Sequence, residues 1–102
     1  PSTVPGCRTP HLWLDDGRSL YDAMGSEFTL LRIDPAADTR PLEEAAAKRG
    51  VPLKVLDVKS AEAPALYRHA LVLPRPDHHV AWRGDRAPAD ALALIDRVRG
   101  AA

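Results

Sequence analysis

The sequence predicts an α/β fold: a central mixed sheet with helices on both faces, preceded by an N-terminal strand and a short helix. Three observations carry this. A strand, an amphipathic helix and a second strand follow one another with short connections, a right-handed βαβ unit whose strands are parallel. Two short strands joined by a proline-rich turn come next, the pattern of an antiparallel hairpin. A final amphipathic helix closes the chain, so both faces are covered.

The elements follow in order. "TPHLWL" (Thr9–Leu14) alternates apolar and polar residues and runs into Asp-Asp-Gly, a tight-turn signal, which predicts the opening strand. In "SLYDAMG", Ser19 with Asp22 three residues on resembles a capping box and Gly25 supplies a stop, predicting a helix over Leu20–Met24. "FTLLRI" (Phe28–Ile33) is apolar on both faces, as a strand covered on each side must be. After "DPAADT", the stretch Pro41–Arg49 reads as a helix with Leu42, Ala45, Ala46 and Arg49 on one face. Pro41 suits its first turn and Gly50 its end. "PLKVLDV" (Pro52–Val58) is the next strand, whereas "SAEAPALYRH" reads ambiguously, as loop or a turn or two of helix. "ALVL" (Ala70–Leu73) and "HVAWR" (His79–Arg83) form the hairpin around "PRPDH". The last helix, over Ala89–Val98, places Ala91, Leu94, Ile95 and Val98 on one face, and Gly100 ends it.

Composition bounds the function. A chain of 102 residues builds one core and not two. Fourteen basic residues balance 14 acidic ones, so no net field draws the chain to nucleic acid or anionic lipid. No apolar run reaches the roughly 18 residues of a membrane span. Nothing at the start resembles a signal peptide. The opening "PSTVPG" reads as a linker, so residues 1–8 are expected to connect to a missing upstream region and residues 9–100 to form the domain. Cys7 is the only cysteine, which excludes an internal disulfide, a CxxC pair and a cysteine-built zinc site. A single thiol fits a reducing, cytoplasmic setting.

The element order matches a thioredoxin-like fold, but the reactive parts of that fold are missing. A working thioredoxin places two cysteines at the start of the helix after the first central strand, where the helix end lowers the thiol pKa. Here that position reads Asp34-Pro35-Ala36-Ala37-Asp38, without sulfur and with two carboxylates that disfavour a thiolate. The site's second feature, a proline immediately before the hairpin, is replaced by "LYRHALVL". Catalytic, cofactor-binding and metal-binding residues are therefore expected to be absent from this chain. A freestanding redox protein or binding module using Cys7 is the alternative.

"RPDHHVAWRG" (Arg75–Gly84) is the densest cluster of chemically able side chains. Adjacent strand residues point to opposite faces, so His78 and His79 cannot both grip one ion, and the segment offers an Asp–His pair no Ser, Thr or Cys nucleophile. The cluster instead reads as a structural motif of Arg75, Asp77, His79, Trp82 and Arg83. Pro76 and Asp77 are turn residues, Arg75 can pair with Asp77, and Val80 and Trp82 are expected on one face of the strand with His79, Ala81 and Arg83 on the other. The Asp15-Asp16-Gly17 carboxylates read first as a turn.

With these pieces placed, the chain resembles the C-terminal thioredoxin-like domain of FAD-dependent aromatic hydroxylases, the class A flavoprotein monooxygenases. "PGCRTPHLWL", "DGRSLYDAMGSEFTLLR", "GVPLKVLDV" and "RPDHHVAWRG" carry the resemblance over nearly the whole length. Pro74 departs from the family's apolar residue before Arg-Pro-Asp and is expected to bend that strand's end, while His78 sits at a variable turn position. The resemblance implies an intact enzyme with upstream FAD and substrate domains, in which NAD(P)H reduces the flavin and O2 hydroxylates a phenolic or polyketide ring. This domain would be a non-catalytic accessory, holding no cofactor itself. Its partners would be the FAD and substrate domains of the same chain, with a homodimer as a further expectation and neither nucleic acid nor membrane. Arg8, His11 and Trp13, nearest the junction, are the interface candidates.

Overall fold

The computed structural model of the protein describes residues 3–25 and 27–100. Eight elements run α1 (Leu20–Met24), β1 (Phe28–Arg32), α2 (Arg40–Lys48), β2 (Leu53–Asp57), α3 (Ala63–Tyr67), β3 (Leu71–Pro74), β4 (Val80–Gly84) and α4 (Ala91–Val98). The four strands make one sheet in the order β2-β1-β3-β4. β1 runs parallel to β2, from Phe28 opposite Leu53 to Arg32 opposite Asp57, and β3 is antiparallel to both β1 and β4. This is the mixed sheet expected from the βαβ unit and the hairpin.

β1 is central because its side chains leave no face for water. Leu30 and Leu31 point to opposite sides and both are fully buried. Leu31 and Ile33 join Val72, Met24, Ala63 and Tyr67 in the layer of α1 and α3. Leu30 joins Leu71, Leu73, Leu42, Ala46, Leu94 and Ile95 in the layer of α2 and α4. Each helix is set by local signals. Ser19 accepts the Asp22 N–H at 3.1 Å to start α1, and Asp90 accepts the Ala93 N–H at 3.0 Å to start α4. That cap moves the start of α4 to Ala91, two residues later than expected. Pro64 stands in the first turn of α3, which resolves the ambiguous stretch as a short helix ended by Arg68 in the left-handed region at φ 64°.

Two expectations are corrected. Val80 and Trp82 do not share a face. The β3–β4 register shifts between Leu73 and Pro74, so Leu73 faces Trp82 while Pro74 faces Val80, and Ala81 is the extra residue of a bulge. Val80 consequently packs in the α1/α3 layer and Trp82 in the α2/α4 layer. Pro74 is the cause named in the sequence: lacking an N–H, it cannot complete the ladder where the register slips.

The second correction concerns Thr9–Leu14. The stretch is extended and alternates as expected, with Leu12 and Leu14 buried, but it is not a strand of the sheet. At one end Gly6 N–H donates to Val80 O (2.8 Å), Val80 N–H to Cys7 O (2.7 Å) and Thr9 N–H to His78 O (2.7 Å), all at the β4 edge. At the other end Asp15 N–H donates to Lys59 O (2.8 Å), just past β2. Since β4 and β2 are the two edge strands, the segment is a strap laid across the α1/α3 face from one edge of the sheet to the other.

Candidate functional site

The strap brings the interface candidates together. Two tyrosines hold it from below: Tyr21 on α1 donates its hydroxyl to Thr9 O, and the fully buried Tyr67 on α3 donates to Pro10 O at 2.5 Å. With Leu12 and Leu14 turned inward, His11 and Trp13 must turn outward. Trp13 is 66% exposed, and Val4 is the one other large hydrophobic exposed among the described residues.

Around Trp13 a connected group of rings forms. His11 meets Trp13 edge-on, with centroids 5.3 Å apart and planes at 90°. His11 also meets Tyr21 edge-on at 5.0 Å. His78 stacks on Tyr21 at 4.4 Å with planes 17° apart. The Arg8 guanidinium carbon lies 5.0 Å from the centre of the Tyr21 ring, within cation–π range. No ion pair joins Arg8 to a carboxylate among the described residues. Tyr21 and His78 were not foreseen as members of this patch. No local signal marks them, because they reach it from a helix and a turn far apart in the chain.

The "RPDHHVAWRG" segment separates its two histidines. His78 takes the left-handed conformation at φ 71° in the turn and leans onto Tyr21. His79 pairs through its backbone with Arg8, and its Nδ1 lies 3.4 Å from Asp77 Oδ1. Asp77 accepts the His79 N–H at 3.0 Å and pairs with Arg75 at 3.1 Å. The His79 N–H, aided by Arg75, holds the Asp77 carboxyl below the usual carboxylate range. Arg83 donates to Thr3 Oγ1 at 3.3 Å. The Trp82 ring lies over Gly84, where an added Cβ would sit 2.6 Å from the indole. Among the described residues no group of three or more His, Cys, Asp or Glu side chains is placed to hold a metal ion.

The turn between β1 and α2 is built from carboxylates. Asp34 accepts the Ala36 N–H at 2.9 Å, and Asp38 accepts the Arg40 N–H at 3.0 Å. The Arg40 guanidinium holds the Asp38 carboxyl low. This arrangement pins the turn with side-chain oxygens where a thioredoxin would present its thiols.

The profile of the family described as "Aromatic-ring hydroxylase, C-terminal" matches residues 2–102. The chain belongs to that family. Its fold superposes on the rebeccamycin biosynthetic enzyme RebC, solved with reduced flavin, with a TM-score of 0.91 and 46% identity over 100% of this chain and 20% of RebC. It is 36% identical to the FAD-dependent monooxygenase apdD of Emericella nidulans over 98% of this chain and 17% of that protein. It is 38% identical to the tetracenomycin B2 monooxygenase-dioxygenase of Streptomyces olivaceus over 93% of this chain and 20% of that one. The chain thus spans about a fifth of the length of the curated relatives it matches, as a C-terminal domain of FAD-dependent aromatic hydroxylases would.

The residues of this hydroxylase C-terminal domain do not themselves fit a flavin dinucleotide. A pyrophosphate is held by glycine-turn amides at a helix start. The β1–α2 turn here offers Asp34 and Asp38 instead. A surface hollow of ≈ 550 Å³ is lined by Asp15, Asp16 and Asp57 beside Arg18 and Lys59, with Leu14 and Leu56, and no glycine turn lines it to cradle a pyrophosphate.

Proposed function

We propose that this domain is the non-catalytic accessory part of an FAD-dependent aromatic-ring monooxygenase. The preceding chain would bind FAD and a phenolic or polyketide substrate. NAD(P)H supplies two electrons; one atom of O2 enters the ring as hydroxyl and the other leaves as water. Relatives named as FAD-dependent or flavin-bearing support this reading. The observation that carries the accessory role is the carboxylate-built β1–α2 turn standing where a reductase keeps its sulfur. Catalysis then belongs to the preceding chain, and this domain contributes surface and stability. The single thiol supports a reducing, cytoplasmic setting. The first partner is the FAD and substrate body of the same chain, and a homodimer of the intact enzyme is the second.

The test compares the intact enzyme with a truncation lacking residues 1–102. Flavin binding is expected to persist in the truncation, while melting temperature falls or assembly, read by light scattering, is lost. A truncated enzyme with unchanged size, melting temperature and turnover would refute the reading. The domain itself is expected to show no insulin reduction with or without Cys7→Ser.

A further inference from the structure

We infer that the patch of Arg8, His11, Trp13, Tyr21 and His78 is the docking surface for the chain upstream of residue 1. That upstream body would offer an apolar or aromatic surface to Trp13 and a carboxylate to Arg8. The inference rests on the accessory-domain reading and says where the contact lies.

Three observations favour this occupant. The first is chemical. Trp, Tyr and Arg are the residues that dominate binding at interfaces, and here exposed Trp13 and Arg8 cluster around the half-buried ring of Tyr21. Here the rings are ordered against each other before any partner arrives, so little side-chain entropy remains to be lost on docking. The Arg8 guanidinium lies over the Tyr21 face, and no carboxylate among the described residues pairs with it, so its charge is open to a partner.

The second is positional. Matched relatives carry about four fifths of their length outside this domain, and the family is defined as C-terminal, so in them that length comes before it. Three of the five patch residues, Arg8, His11 and Trp13, lie on the strap or just before it, towards that same end of the chain. A body entering there meets Arg8, His11 and Trp13 first.

The third is energetic. A stable interface between separate proteins takes about 20–30 residues a side. A patch of this size is too small for a second copy in free solution. A tethered partner is different, because a short linker supplies an effective concentration in the millimolar range. The modest contact suffices only for a body already attached.

The experiment uses the intact enzyme. Hydroxyl-radical footprinting reads oxidation at Trp13 and maleimide labelling reads the neighbouring exposed thiol of Cys7, both by peptide mass. Both sites are expected to be protected in the intact enzyme at every protein concentration. Trp13→Ala and Arg8→Glu should each speed Cys7 labelling about tenfold or more, the loss typical of a removed interface anchor. Because Trp13 and Arg8 are exposed, neither variant removes core, and the wild-type footprint decides the question even without them. Full reactivity of Trp13 and Cys7 in the wild-type enzyme overturns the inference. So does protection that grows with concentration, which would assign the patch to a second copy. Flavin content and NAD(P)H oxidation, read on the same sample, test the function separately. A flavin-free chain with a protected patch sinks only the monooxygenase reading, and a flavin-loaded chain with an open patch sinks only this one.

Discussion

Replacing Tyr67 by Phe removes one oxygen atom and leaves the buried ring in place. That oxygen donates to Pro10 O from α3, while the Tyr67 backbone carbonyl accepts the Thr3 hydroxyl at 3.2 Å. The residue therefore holds the strap at Pro10 and the segment before it at Thr3. Pro10 is buried, so in the variant its carbonyl loses its partner without gaining water. A buried acceptor left unpaired costs about 1–3 kcal/mol. We expect a loss of about 2 kcal/mol, or roughly 8–16 °C in melting temperature for a domain of this size. Burial also pushes the Tyr67 hydroxyl well above the ordinary tyrosine range. A raised folded-state pKa means its stabilising contribution is complete below the unfolded value of about 10 and is lost as pH climbs towards the folded one. Urea unfolding should thus show an alkaline decline in the parent that is shallower in Tyr67→Phe. A variant within about 0.5 kcal/mol of the parent at neutral pH would show that the strap does not depend on this bond.

Further outcomes follow from the same packing. Gly84→Ala drives a Cβ to 2.6 Å from the Trp82 ring and should cost about 1–3 kcal/mol by thermal melting. Most of that cost should be recovered when Trp82→Leu is added. Trp13→Ala should change the stability of the isolated chain by less than about 0.5 kcal/mol, whereas Leu30→Ala, in the middle of the sheet, should cost about 2–5 kcal/mol. The Arg32 guanidinium beside Asp57 holds that carboxyl below its usual value. Its stabilisation is therefore present above the unfolded pKa, about 4, and fades as pH falls through the lowered folded value. Asp57→Asn should flatten the acid limb of the stability profile, by less than about 1 kcal/mol because the pair is partly exposed.

Elements with local causes were legible in the sequence. α1 occupies Leu20–Met24 because Ser19 and Gly25 define both ends within seven residues. β1 was legible because a run apolar on both faces can sit only in the middle of a covered sheet. The absence of thiols from the β1–α2 turn was equally plain. Other features were settled by partners distant in sequence. A strand and a strap show the same alternation at Leu12 and Leu14; which one forms depends on whether its main chain meets a neighbouring strand or crosses a face. The sides taken by Val80 and Trp82 were reversed by one register slip opposite Pro74, and period-two reasoning cannot see an extra residue. The ring patch required α1 and the hairpin turn to bring Tyr21 and His78 beside His11 and Arg8. Caps and apolar runs act over one or two turns of chain and can be read from order alone. The exposed surface is made by packing between remote segments, so the tertiary structure decided it.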